Sequence, residues 1–480
     1  VLGIDDGHPI ATSDDGGADA TVADGATRED AQSGEDAGGD GGGATDGGDA
    51  GDASDASIDS ALPPLPDGAT CDPAVTLGST ALFVAPGGMD TAPCSQAAPC
   101  ATIQHAIGVA RNTTPPVPPI YVQGDHTYTE QLTLQAGVQI IGGWSADWAT
   151  HDCTPPTIVQ APPPMTTTVL ASYAGTSTLS SLTVESKANA NPGETIVGIS
   201  ATGASTVLNL SYVVVNVAGG GDGLAGSAGD AGIAVTAACA TAGDGGASEV
   251  PGGKGTGADA GWFTDTGFAS MTGGPGGTGG NGMNGPAGAA GSCIRCYATC
   301  TGTLLCSGTD GGVECGNPGE PGCGGPGGFG GVGGGTGGSS VALFVSGATV
   351  KLTGGILQSG NGGAGGPGGP GGGGAAGSVG AEGTVSASCA TTCASVSSTC
   401  SVGNPETAAG GAPGGKGGAG AGGGAGGDGA GGDSYAIVEV GGASVQQGGV
   451  GTTTNAGLPG AIPDGGNGAP GSAGPTLDLP

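Results

Sequence analysis

Fourteen cysteines are the residues of this chain best suited to chemistry. Cys293-x-x-Cys296, followed by Cys300, Cys306, Cys315 and Cys323, has spacings that zinc sites use. No histidine lies nearby to complete a mixed set, since the four stand far off at 8, 105, 126 and 151. The cysteine count is even and lysine is scarce, which points instead to disulfides formed in an oxidising compartment. Cys71, Cys94, Cys100 and Cys153 form one group, Cys239 stands alone, and Cys389, Cys393 and Cys400 form a late cluster. Four cysteines in the first group allow three pairings. A local Cys94–Cys100 loop with a longer Cys71–Cys153 staple is the favoured one. A redox role for the CxxC is not expected, because no βαβ pattern surrounds it.

Acid–base chemistry has little to work with. After residue 70 the basic side chains are Arg111, Lys187, Lys254, Arg295, Lys351 and Lys416, none beside an acidic cluster. Glu130, Asp147, Asp152 and Glu185 are candidate acids, but no spacing singles out a pair of the kind glycoside hydrolysis needs. The chain is therefore expected not to be an enzyme. GGDGAGGDS at 426–434 is similar to a calcium-binding glycine turn, but Gly431 occupies the position an aspartate should hold. Weak, diffuse calcium binding by acidic residues is expected in place of a defined metal or cofactor site. Trp144 and Trp148 in GGWSADWATHD offer a sugar-stacking platform, or else plug a loop against the fold. Trp262 and Phe263 suit an anchoring cluster. GxGxxG matches are abundant and carry no nucleotide-binding information without a strand–helix context.

Composition narrows the elements that could position these groups. The 480 residues include 116 Gly and 33 Pro but only 5 Phe, 6 Tyr and 3 Trp. The net charge of −34 opposes binding to nucleic acid or an anionic membrane. No run is long and apolar enough for a transmembrane helix. The chain begins at Val1 without Met, which suggests removal of a targeting segment.

Residues 1–66 are Asp, Ala, Gly and Ser and cannot bury a core, so a disordered, extended stalk is expected. This stalk resembles the acidic tether of bacterial surface lipoproteins, which implies a secreted or cell-surface location with a lipid anchor at a removed residue. Residues 67–217 hold short alternating Val/Ile/Leu/Thr runs, and ATIQHAIGVA suits one short helix. A strand, Gly-Ala turn, strand unit recurs at 199–210, 342–352 and 436–447.

Glycine sets the remainder. Gly362 to Gly383 keeps a period of three through eight glycines, and Gly273 to Gly291, Gly316 to Gly337 and Gly411 to Gly432 do the same through seven, eight and eight. That period belongs to the three-residue polyproline II helix. Collagen would want more imino acids and three parallel chains, whereas these stretches run out, tip and back. A polyglycine II bundle fits better, with backbone N–H groups pairing between neighbouring helices. At ~3.1 Å per residue a twenty-residue arm spans on the order of 65 Å.

ALFVAPGGMDTAPCSQAAPCATIQHAI followed by TYTEQLTLQAGVQIIGGWS resembles the opening of right-handed parallel β-helix proteins, the pectate-lyase-like superfamily. The resemblance rests on Phe83, Gly87, Gly88, Asp90, Pro99, Thr102, Ile103, Gln104, Ala106, Ile107, Tyr128, Glu130, Leu132, Leu134, Gly137, Val138, Ile140 and Gly142. It implies an all-β fold: a right-handed parallel β-helix solenoid interrupted by long glycine-rich hairpin arms. The expected layout is a head at 67–217, a first excursion at 218–340 with a cysteine tip, a coil at 341–359, a second excursion at 360–433, a coil at 434–454, and a glycine-rich arm at 455–480. The expected function is an extracellular structural or adhesive surface protein that displays the arms. Its expected partner is a cell-surface or matrix component such as carbohydrate, and self-assembly into fibres is a variant. Ice binding is one alternative, since the triplet bundles resemble the glycine-rich antifreeze proteins of springtails. A polysaccharide lyase or hydrolase is another.

Overall fold

The computed structural model describes residues 71–72, 75–295, 298–299, 313–385, 401–402, 409–448 and 451–480. The expected stalk at 1–66 lies outside them, as do Cys296, Cys300, Cys306, Cys389, Cys393 and Cys400. Among the described residues there is one α-helix, Ile103–Arg111, and the regular structure is otherwise β.

Three parallel sheets of 7, 6 and 6 strands make a β-helix. Each coil runs through the first, second and third sheet in turn. The coil that begins with Thr206–Ser211, for example, continues into Val214–Asn216 and closes with Ser340–Ser346. In four of the coils the turn between the first two sheets is two residues long and includes a left-handed residue: Asp125, Ser181, Tyr212, or both Gly354 and Gly355. Alternation in the sequence now has a cause, because every second side chain points inward. Stacked inward residues form ladders such as Ile120–Ile140–Leu179–Leu210–Leu352 in the first sheet. The third sheet stacks Leu132, Val169, Ile199, Leu343 and Ile437. Each such side chain contributes about 1.5–3 kcal/mol by burial. In the last coil the ladders end on Gln447, Thr454 and Thr476, so the solenoid finishes in polar residues, as a terminal repeat should.

The opposite end is closed by the helix, and here the motif residues show their work. Asp90 Oδ1 accepts the N–H groups of Ala101 and Thr102, and Glu130 accepts those of Ile103 and Gln104 at 2.8 and 2.7 Å. Thr102 caps the helix by accepting from the His105 N–H. The orphan donors of the first turn are thus satisfied. Gly88 is required because a Cβ there would sit 2.2 Å from the Cys100 carbonyl oxygen.

The glycine-rich excursions all leave the solenoid at one corner, between the second and third sheets of consecutive coils. Serines hold that corner together. Ser340 Oγ donates to the Ala218 carbonyl at 2.8 Å and accepts from the Gly360 N–H at 2.9 Å. One coil on, Ser434 Oγ donates to the Gly360 carbonyl at 2.7 Å. Ser186 Oγ accepts from the Ala218 N–H in the coil before.

Two expectations need correction. The first excursion is two hairpins, not one: its arms are 219–233, 246–258, 273–291 and 316–338. The segment 455–480 is not an arm throughout, since Ala473–Leu479 returns as the last strand of the third sheet, paired with Ser434–Val440.

Candidate functional site: the glycine bundle and the groove beside it

Six arms pack as one bundle through hydrogen bonds that recur every third residue. Arms 273–291 and 316–338 pair antiparallel: Gly276, Gly279 and Gly282 donate to Gly331, Gly328 and Gly325. Arms 316–338 and 410–432 pair parallel, with Gly325, Gly328 and Gly331 donating to Gly418, Ala421 and Gly424. The neighbours that each arm bonds define two layers. One holds 219–233, 316–338 and 273–291, and the other holds 362–383, 410–432 and 246–258. The close spacing explains the composition. A Cβ on Gly331 would lie 2.0 Å from the Gly369 carbonyl oxygen, and one on Gly328 would lie 2.0 Å from that of Gly372.

The third row of residues on each arm faces out, and the two outer faces differ. On the first layer Leu224, Ile233, Phe329 and Val332 are exposed. On the second layer the row is mostly small or polar, with Pro367, Pro370, Gly373 and Ala376 on one arm and Pro413, Lys416, Ala419 and Gly422 on the next, but Val379 and Val250 are exposed there too.

Four disulfides brace the fold among the described residues. Cys71–Cys153 and Cys94–Cys100 tie the head. Cys239–Cys323 ties the turn after the first arm to the fourth arm, and Cys293–Cys315 closes the tip strands Cys293–Arg295 and Val313–Cys315. The tips of the two excursions also meet, since Ala298–Thr299 pairs with Ser401–Val402. These disulfides fit an oxidising, non-cytoplasmic compartment. No helix among the described residues is long and apolar enough to cross a membrane.

The bundle is anchored to the solenoid by the hairpin Trp262–Thr264 and Gly267–Ala269, between its second and third arms. Phe263 is buried against Phe268, Phe344 and Tyr435, with ring centroids 5.2, 6.4 and 6.2 Å away. Beside this hairpin a groove of about 480 Å³ opens on the outer face of the third sheet. Its floor is Thr167, Val197, Ser200, Thr202 and Phe344 of the sheet, and its wall is Phe263, Asp265, Thr266, Gly267 and Phe268 of the hairpin. The floor presents hydroxyls from neighbouring strands, the wall presents ring faces and edges, and Asp265 supplies a carboxylate. Such a surface suits a polyhydroxylated ligand, which needs hydrogen-bond partners and an apolar platform together.

The residues singled out in the sequence lie elsewhere. Trp144 and Trp148 are 4% and 6% exposed, packed with Phe83 and Tyr121, so they plug the head and offer no stacking platform. Of the two readings, ligand contact by Trp144 and Trp148 is corrected and the plug stands. Glu130 caps the helix. Burial pushes its carboxyl up despite the two N–H groups it accepts. Glu185 is likewise pushed up by burial, with Gln160 as its partner. Asp147 is held below the usual carboxylate range by Ser145 and the Ala149 N–H within its own loop. In the 426–434 stretch Asp428 takes N–H groups from Gly368 and Asn467 and the Lys254 ammonium, and Asp433 takes the Ser472 N–H. Those carboxylates are held by protein donors.

No protein-family model matches the chain, and no curated protein matches it. Two solved structures are similar. Pectin methylesterase PemA from Erwinia chrysanthemi is 14% identical with a TM-score of 0.22, over 30% of this chain and 44% of that one. A rhamnogalacturonan lyase is 11% identical with a TM-score of 0.21, over 32% of this chain and 40% of that one. The match thus spans less than half the length of either. Both are enzymes, and on that finding the expectation that this chain is not one is withdrawn. Likeness at this level carries no inference about activity, and the parallel β-helix stands on the strand pairing itself.

Proposed function

We propose that this protein is a structural, adhesive component of an extracellular surface. Its β-helix holds the glycine bundle, and a saccharide-bearing partner binds in the groove between them. The groove carries this proposal: Thr167, Ser200 and Thr202, which bear hydroxyls, line it together with Phe263 and Phe268. Calorimetry of the full chain against a panel of neutral and uronate oligosaccharides tests it. Binding is expected to weaken about tenfold in Phe268→Ala, by loss of a contact worth roughly 1–2 kcal/mol. Equal affinity in wild type, Phe268→Ala and Ser200→Ala would place the partner elsewhere.

A second reading is supported by the middle of the second-layer face, where Pro367, Pro370, Gly373, Ala376, Ala419 and Gly422 are exposed and small before the rows reach Lys416 and Val379. A flat array of this kind suits an ordered water or ice surface. Thermal hysteresis that disappears in Ala419→Tyr would favour it, and no hysteresis in the wild type would end it.

A further inference from the structure

We propose that Cys71, Cys153 and His151 form a reduction-gated metal site, in which a divalent ion of the zinc class replaces the disulfide as the clamp on this end of the solenoid. In the structure the two sulfurs are joined across 82 residues of sequence. His151 Nε2 stands 3.8 Å from Cys71 Sγ. The two sulfurs and a ring nitrogen of His151 all lie within 4.8 Å of one another. Tetrahedral zinc, with bonds of about 2.3 Å to sulfur and 2.0–2.1 Å to nitrogen, sets neighbouring ligand atoms roughly 3.5–3.8 Å apart. The Cys71–His151 edge is therefore near coordination spacing already.

The imidazole is also oriented as a ligand would be. Its ring hydrogen-bonds the Gly142 carbonyl. A carbonyl only accepts, so the nitrogen that meets it carries the proton. Nε2 is the ring nitrogen that faces Cys71 Sγ. Backbone carbonyls orient metal-bound histidines in this way. The surroundings are built around the cysteines as well. Gly143 adopts φ +77°, and a Cβ there would lie 2.4 Å from Cys153 Sγ. Trp144 packs on His151 with ring centroids 5.1 Å apart.

The chemistry balances as follows. A dithiol gives up two electrons and two protons, becoming a disulfide, and Cys71–Cys153 becomes two thiols. A Zn²⁺ ion then binds both sulfurs and Nε2, releasing the two thiol protons, and a water fills the fourth position. The oxidised chain takes no metal here, because each sulfur is bonded to the other.

The test uses the full chain, reduced with a dithiol, desalted under argon and titrated with Co²⁺ and then Zn²⁺. Thiolate-to-cobalt absorption counts the sites, and circular dichroism checks the fold. Reduction frees all fourteen cysteines, so the expected result is one tight equivalent fewer in reduced His151→Gln than in the reduced wild type, with that equivalent weakened at least ~10-fold in the variant, whose disulfide is untouched. His105→Gln, which alters the group around Cys94 and Cys100, should keep that equivalent. Undiminished tight binding by reduced His151→Gln, or loss of the equivalent in His105→Gln alone, would overturn the proposal.

Discussion

Lys254 on the second arm reaches Asp428 on the sixth, Nζ to Oδ2 3.0 Å, across 174 residues of sequence. Burial alone would raise the Asp428 carboxyl. The N–H groups of Gly368 and Asn467 together with Lys254 outweigh it and hold the group below the ordinary aspartate value. A carboxyl depressed in the fold stabilises it above the unfolded value, and that contribution is lost as pH falls through the folded one. Asp428→Asn should therefore lower the melting temperature at pH 7, by about 1–3 kcal/mol of stability, and should flatten its acid dependence. Lys254→Met should cost less, since Lys254 is 47% exposed and exposed pairs contribute only about 0–1 kcal/mol.

Glycine positions in the bundle should divide sharply. Gly331→Ala puts a Cβ 2.0 Å from a backbone oxygen, so the arms must separate. A cost of about 1–3 kcal/mol or more is expected. Gly253→Ala meets nothing within 4 Å and should be neutral or stabilising by about 0.4–1 kcal/mol, because it restrains the unfolded chain. Thermal unfolding of the two variants decides the matter, and similar losses in both would contradict the packing described.

Replacing Cys239 and Cys323 with serine opens an 84-residue link. A loss of about 2–4 kcal/mol is expected. Limited proteolysis should then cut first within 234–245, between the first two arms, a site the disulfide protects.

Phe263→Ala should loosen the anchor between the bundle and the third sheet, at about 3–5 kcal/mol. Trp262 is 50% exposed beside it, while Trp144 and Trp148 are buried. A red shift in tryptophan emission on the loss of Phe263 therefore reports on that hairpin. Unchanged emission and stability would mean that the hairpin is held by something else.

The sequence made the solenoid and the glycine helices legible because both are periodic, with a period of two in LTL and VQI and of three in the arms. Asp90 and Glu130 were visible as parts of a motif, yet their work as acceptors for the cap helix needs their positions in space. The arm 246–258 escaped because Glu249, Val250 and Pro251 break the triplet before Gly252 and Gly255 resume it. The groove left no signal at all. Its floor comes from Thr167 in one coil and Ser200 and Thr202 in the next, and its wall arrives from the middle of the first excursion. Long-range pairing of that kind has no period. Trp144 and Trp148 misled for a related reason: a sequence names an aromatic side chain but not the side of the sheet on which it lies.

The serine corner carries a consequence for how such a protein could grow. Ser340 and Ser434 do the same job one coil apart, each gripping the residue where an excursion departs. One coil with one hairpin is therefore a structural unit that could be copied whole. Duplicating it would add one rung to the solenoid and two rods to the bundle, while the interior ladder continues with the same residues. The first excursion carries two hairpins and the second carries one, so the width of the bundle follows the number of hairpins, and copying a coil with its hairpin would widen it without redesigning the core.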